Sequence, residues 1–158
     1  MTVSDSLGHL LSGASPTARD RYETALSLFR TYSGDPLAAV EAAITDSPEF
    51  VMAHMLKAWL NLLGTEPAGV AVARGCLLRA RAFAASPRER GHLAAVGHLA
   101  DGSWHKAGRA LERLSAEFPH DSLALQAGHQ IDFFTGNARL LRDRIARVLP
   151  EWRRDMPG

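Results

Sequence analysis

Gly97-His98-Leu99-Ala100-Asp101 recurs 31 residues later as Gly128-His129-Gln130-Ile131-Asp132. The register holds beyond the motif: Ala107 falls over Ala138, Arg113 over Arg144, Leu114 over Ile145 and Pro119 over Pro150. Laid on 128–150, residues 97–119 share six identities in 23 positions, more than unrelated helical segments share by chance. Self-similarity at this period is the mark of stacked helix pairs. Each pair is too small to bury its own apolar face, so neighbours stack into a solenoid with a concave groove. The repeat therefore predicts an architecture and a binding surface, not a reaction.

The punctuation around the repeat extends this reading to the rest of the chain. Four times a capping residue precedes proline, at Ser15-Pro16, Asp35-Pro36, Ser47-Pro48 and Ser86-Pro87. Each pair fits a helix start: the cap side chain accepts an orphan N–H, and proline at the first helical position has none to lose. Ser86 and Glu89 have the spacing of a capping box. Gly34, Gly64, Gly102 and Gly136 mark stops, each able to take the left-handed conformation that closes a helix.

These signals predict an all-α chain of eight helices, over about 16–33, 36–46, 48–63, 67–85, 87–101, 103–117, 121–135 and 137–149. Apolar stripes such as Leu111 with Leu114, and Leu141 with Ile145 and Val148, have helical rather than strand spacing. Short links predict antiparallel neighbours, paired first with second, third with fourth, fifth with sixth, seventh with eighth. Prolines 48, 87, 119 and 150 punctuate the pairs at intervals of 39, 32 and 31 residues. The helical-repeat domain thus covers 16–150. Residues 1–15 read as a flexible N-terminus, and 151–158 as a tail or the start of a further repeat.

Composition adds boundaries rather than chemistry. The chain has 158 residues, enough for one domain with a real core, and a formal net charge of +1. No overall field points to nucleic acid or to a membrane surface as partner. The charge is uneven: residues 1–64 hold four Lys/Arg and seven Asp/Glu, and residues 65–158 hold fourteen and ten. Much of the excess lies at Arg139, Arg142, Arg144 and Arg147, which read as a solvated helix face. The single cysteine, Cys76, forms no internal disulfide, suits a reducing compartment, and reads as a small buried hydrophobe. The start of the chain lacks a signal-peptide pattern, and no window approaches the apolar length of a membrane span, so a cytoplasmic location is the default.

From residue 86 onward the pattern becomes specific. Arg88-Glu89-Arg90-Gly91-His92-Leu93-Ala94-Ala95-Val96, then Ala100-Asp101-Gly102-Ser103-Trp104-His105-Lys106-Ala107, resembles the tetratricopeptide repeat protein 38 family. So do Pro119-His120-Asp121-Ser122-Leu123-Ala124-Leu125 leading to His129, and Arg142-Asp143-Arg144-Ile145-Ala146-Arg147-Val148-Leu149-Pro150-Glu151-Trp152. Asp46-Ser47-Pro48-Glu49-Phe50-Val51-Met52-Ala53-His54 is similar to an earlier repeat of the same family. The resemblance covers about residues 16–158. It implies a tetratricopeptide-like right-handed superhelix of about eight antiparallel helices, matching the N-terminal portion of longer family members. It implies no catalytic residue and no cofactor.

In such a helix pair the first helix lines the groove, and a small residue at its middle admits the neighbouring helix. Gly97 and Gly128 fit that position, as does Ala58 in the earlier pair. The residues one and four places later then look into the groove: His98 with Asp101, His129 with Asp132, and Trp59 with Leu62. The predicted groove contacts are Met55, Trp59, Ala94, His98, Asp101, Leu125, His129 and Asp132. They suit a protein, a peptide or a small ligand, with histidine tuning the site near neutral pH. An alternative is that each Asp simply accepts from its own His inside a helix contact.

A second alternative makes the two His/Asp pairs the general acid and base of an enzyme or enzyme fragment. A third is self-association through an exposed C-terminal end formed by Ile145, Val148, Leu149 and Trp152, since an uncapped solenoid leaves an apolar end. His54 and His92 read as packed structural residues. Trp104 and Trp152 read as seals at repeat junctions. There is no His-x3-His pair, and the cysteine has no partner, so no metal site is expected. Nor is there a Gly-x-Ser-x-Gly or a phosphate-cradling glycine loop.

Overall fold

Proline and its preceding cap begin three of the helices where the sequence places them. In the computed structural model, which describes residues 2–157, Ser15, Asp35 and Ser86 each accept a backbone N–H three residues on. The helices are α1 (Pro16–Thr31), α2 (Pro36–Asp46), α3 (Val51–Leu63), α4 (Pro67–Ala80), α5 (Pro87–Ala100), α6 (Trp104–Glu117), α7 (Ser122–Phe134) and α8 (Ala138–Val148). A 3₁₀ turn over Leu149–Glu151 follows. The capping box at Ser86 and Glu89 is complete. Apart from one isolated antiparallel bridge between Ser4 and Leu10, regular structure among the described residues is all helical.

Two punctuation marks act differently from their reading. Pro48 does not open a helix. Ser47 closes α2 and turns its hydroxyl to the Ser15 N–H (3.0 Å), so α3 begins only at Val51 with no side-chain cap. Gly64 keeps right-handed geometry, and the left-handed residue is the next one, Thr65, at φ 59°. Helix α4 also ends earlier than expected, with Arg81–Phe83 in turns.

The packing follows from where apolar side chains are densest. Helix α3 carries Val51, Met52, Ala53, Met55, Leu56, Ala58 and Trp59, all fully buried. It is flanked by α1, α2, α4, α5 and α7. Consecutive helices pack as pairs, α1 with α2, α3 with α4, α5 with α6 and α7 with α8, and α6 bridges to α7. Cys76 is buried in α4 among this core, and burial pushes its thiol pKa up. Among the described residues no helix is long and apolar enough to cross a membrane.

The expected flexible N-terminus is instead built into the packing. Val3 and Leu11 are buried, and the Leu11 N–H donates to the Val3 carbonyl (2.9 Å). The Asp5 carboxylate closes the turn between them by accepting the N–H groups of Leu7 and His9. Ser12 donates its N–H (2.8 Å) and hydroxyl (2.6 Å) to Glu89 of α5. The polar residues that looked like a solvated tail are turn caps and anchors. Gly13 makes the anchoring possible: its φ is +77°, and a Cβ there would lie 2.2 Å from the Glu49 carbonyl oxygen. Gly13→Ala is therefore expected to cost about 1–3 kcal/mol. It should speed amide exchange over residues 3–15 while α5 to α8 keep their protection. Unchanged exchange in that segment would refute the anchoring role.

Candidate functional site

The face shared by α3, α5 and α7 is where the groove was expected, and the chain fills it with itself. Helix α3 touches both α5 and α7 directly. The end of α1 also reaches α7: Arg30 donates to the Ser122 hydroxyl (3.0 Å) and Gln126 donates to the Phe29 carbonyl (3.1 Å). Met55 and Trp59, expected as groove contacts, are fully buried. Large apolar side chains on a central helix are better covered than exposed, and that decides the geometry.

What occupies this face is a buried polar chain. The Trp59 indole N–H donates to His92 Nδ1 (3.0 Å), and His92 Nε2 faces the Asp121 carboxylate at 2.9 Å. An indole N–H only donates, so Nδ1 is an acceptor and the ring proton sits on Nε2, aimed at Asp121. Arg88 donates to the same Asp121 oxygen (3.1 Å) and lies 3.8 Å from Asp5. Burial alone would raise the Asp121 pKa. The adjacent His92 ring, the Arg88 guanidinium and the Ala124 N–H outweigh it and hold the carboxyl well below the usual range. Asp5 is likewise lowered: hydrogen bonds from His9 and the nearby Arg88 charge overcome the effect of burial.

Three contacts in this region have the same length in sequence, whereas His92 to Asp121 spans 29 residues. Trp59 to His92, Arg88 to Asp121, and Pro119 to Trp152, whose indole donates to the Pro119 carbonyl (2.9 Å), each span 33 residues. Successive pairs are joined by polar contacts at a common spacing close to that of the sequence repeat. Arg88 and Asp121 were not singled out by the sequence reading. The usable signals were the cap position of Asp121 and its separation from Arg88. His54 is packed as expected, its Nε2 on the Pro48 carbonyl (2.8 Å), with its pKa lowered by burial.

The two His/Asp pairs do not form. Asp132 turns away from His129 and takes a buried bidentate bond from Arg144 Nε (2.7 Å) and Nη2 (3.1 Å). Asp101 is exposed and faces Arg74 at 3.6 Å. His98 is half-buried, and Ala94 and His129 are exposed. Helix geometry explains this: a guanidinium crossing from α8 offers two donors to Asp132, more than a neighbouring imidazole on the same helix can. Arg144, expected on a solvated face, is 2% exposed. Among the described residues no group of three His, Cys, Asp or Glu is placed to hold a metal ion.

An open surface does exist, at the end of the helix stack. Ser122, Leu125, Gln126 and His129 of α7, Ile145 of α8, and Trp152 and Met156 of the tail line a trough of about 450 Å³. Two patches that the sequence kept apart, the groove end at Leu125 and His129 and the terminal patch at Ile145 and Trp152, are one surface. Leu149 lies on α8's continuation and is strongly exposed. Val148 is not part of the exposed end; it is buried and faces α6. Trp152 is half-buried, its ring edge-on to His120 and its indole on Pro119, so it forms one wall of the trough. Trp104 packs edge-on to Phe134 across the α6–α7 junction. No known protein-family model matches the chain, and no solved structure matches it.

Proposed function

We propose that this chain is a non-catalytic helical-repeat binding module that takes an acidic amphipathic helix of a partner protein in the α7–α8 trough. The tetratricopeptide-like superhelix, and the kinship with the tetratricopeptide repeat protein 38 family, belong to the same proposal. The packing of consecutive helices as pairs, and the 34-residue offset from the end of α5 to that of α7 and from the start of α6 to that of α8, support them. The observation that carries the reading is the trough itself. It is apolar at Leu125, Ile145, Trp152 and Met156, and it sits on the last helix pair, where a further helix would stack in a solenoid.

Charge selects the occupant. Arg144 is buried on Asp132 and Arg147 pairs with Glu112, but Arg139, Arg142, Arg153 and Arg154 stay exposed on α8 and the tail, and Arg142 lies one turn from Ile145 on the outer face of α8. Two copies meeting trough to trough would oppose arginine to arginine. Stacking head to tail would set the trough on the outer face of α1, where Thr17, Asp20, Thr24 and Ser27 are exposed and polar. A partner helix with an apolar stripe and acidic flanks avoids both conflicts.

The test is a titration with a synthetic helix carrying Leu at i, i+3, i+4 and i+7 and Glu on both flanks, read by amide and indole NMR shifts. Saturable shifts at Leu125, His129, Ile145 and the Trp152 indole are expected, lost with Lys flanks and weakened at least tenfold in Ile145→Asp. Shifts that ignore the flank charge, or their absence at these residues, would overturn the reading. So would a concentration-dependent mass of the chain alone in light scattering that Ile145→Asp abolishes, since the trough would then be a self-association surface.

A further inference from the structure

The turns that join the helices within successive pairs, α3 to α4, α5 to α6 and α7 to α8, meet around an open cavity of about 770 Å³. That lies within the range of small-molecule sites, about 300–1,000 Å³. Thr65 stands at the first turn, Gly102 and Ser103 at the second, Phe134 and Thr135 at the third. The opening of α6 supplies Trp104, His105, Lys106 and Arg109. None of these residues lines the α7–α8 trough.

Two features of this lining go unused by the packing. The first is aromatic. Phe134 lies edge-on to Trp104 (5.8 Å, 74°) yet keeps 47% of its surface exposed, and Trp104 is only half-buried. Rings set at a steep angle leave a corner where a planar group can lie on one face and meet the edge of the other. The second is charge. Lys106 and Arg109 are exposed, and among the described residues neither has a carboxylate partner, whereas Arg142 pairs with Asp143 and Arg147 with Glu112. Lys106 and Arg109 are one helical turn apart and therefore neighbours. Among the described residues no Asp or Glu lines the cavity.

Two cations without an acid call for a dianion. A phosphomonoester carries about −1.5 to −2 charge near pH 7, whereas a carboxylate would leave one cation unanswered. Guanidinium grips phosphate as a planar fork and ammonium holds it as a point charge. The aromatic corner beside them suits a ring on the same molecule.

We propose that this cavity binds a small phosphomonoester carried by an aromatic group, a nucleoside monophosphate or an aryl phosphate. The phosphate lies on Lys106 and Arg109, and the ring lies in the corner of Trp104 and Phe134. The site is independent of the α7–α8 trough. The test is an NMR titration of the full chain with adenosine monophosphate and with phenyl phosphate at fixed ionic strength. Adenosine and ribose 5-phosphate, each half of the first ligand, are the comparators.

Saturable shifts are expected at the Trp104 indole and at the Lys106 and Thr135 amides. Tighter binding of adenosine monophosphate assigns a nucleotide, and tighter binding of phenyl phosphate a short aryl ester. Replacing both cations, Lys106→Gln with Arg109→Gln, should raise Kd about tenfold or more with an unchanged thermal midpoint. Phe134→Leu, which keeps the apolar body and removes the ring, should raise it about fivefold. Equal binding of adenosine would overturn the proposal by showing that the phosphate is not recognised. Equal binding of ribose 5-phosphate would overturn it by showing a phosphate patch without ring recognition. Absence of saturable shifts, or an unchanged Kd in the double variant, would refute the site outright.

Discussion

Replacing Asp121 with alanine is expected to lower the unfolding free energy by about 3–5 kcal/mol, the cost of stranding a buried charge. Domains of this kind hold about 5–15 kcal/mol in total, so the variant should sit at the edge of folding. Three losses coincide at one residue. Arg88, 3% exposed, keeps only Asp5 at 3.8 Å. The ring proton of His92 loses its acceptor, and α7 loses the cap that accepts the Ala124 N–H. Urea denaturation of Asp121→Ala, Asp121→Asn and Trp59→Phe should rank them in that order. Asparagine keeps the cap but not the charge. Phenylalanine strands one polar atom, His92 Nδ1, and leaves a small cavity beside it, about 1–3 kcal/mol in all.

The same carboxylate predicts the acid limb of stability. Its pKa is lower folded than unfolded, so its contribution is complete above the unfolded carboxylate range and drains away as pH falls through the folded value. Asp5 acts in the same direction. Asp121→Asn should flatten the loss of stability below about pH 4, the ordinary carboxylate range. An Asp121→Ala variant within 1 kcal/mol of wild type would refute the account.

The helices were legible because their signals are local. A cap followed by proline, or a glycine past an apolar stripe, acts within one turn, and Ser86 with Glu89 or Gly102 and Gly136 behave as read. Ser47-Pro48 misled because the cap hydroxyl answers to Ser15, a partner 32 residues away in sequence. The N-terminal segment misled for the same reason: Ser12 is fixed by Glu89, 77 residues on. Polar side chains look solvated until their partners are known.

The site shows this limit more sharply. The 31-residue register is not that of the helices: α5 and α7 end at Ala100 and Phe134, and α6 and α8 begin at Trp104 and Ala138, an offset of 34, so Asp101 caps the end of α5 while Asp132 lies inside α7. Asp101 meets the Arg74 guanidinium only at the exposed surface, 3.6 Å away, whereas Asp132 is claimed by the buried Arg144. Arg113, aligned with Arg144 by the sequence register, is exposed, and at the offset of the helices it corresponds to Arg147, which is exposed as well. Repetition signals stacked helices and supplies small residues, but its period misses the helix register by about one turn. It does not carry the long side chains that choose among acceptors across helices. Ile145 and Trp152 were recognisable as an exposed end, but their union with Leu125 and His129 depends on how the tail folds back onto Pro119.

The second large effect is expected at Asp132. Asp132→Ala leaves Arg144 with its charge buried and one carbonyl, that of Gly108, as its remaining acceptor. A loss of about 3–5 kcal/mol follows, measurable by urea denaturation. Replacing both partners with apolar residues, Asp132→Leu with Arg144→Met, should recover most of it, because the pair's own attraction largely offsets its desolvation.

Gly128 separates this account from a general sensitivity of α7. The three atoms nearest a Cβ at that position all belong to Arg144, at 2.6–2.7 Å. Gly128→Ala should therefore destabilise the chain by displacing the guanidinium from Asp132. In an Arg144→Ala background the obstruction is gone, and the same substitution should become neutral or stabilising by up to about 1 kcal/mol, the helix preference of alanine over glycine. A cost that persists unchanged in that background would place the constraint in the helix contact itself rather than in the buried arginine.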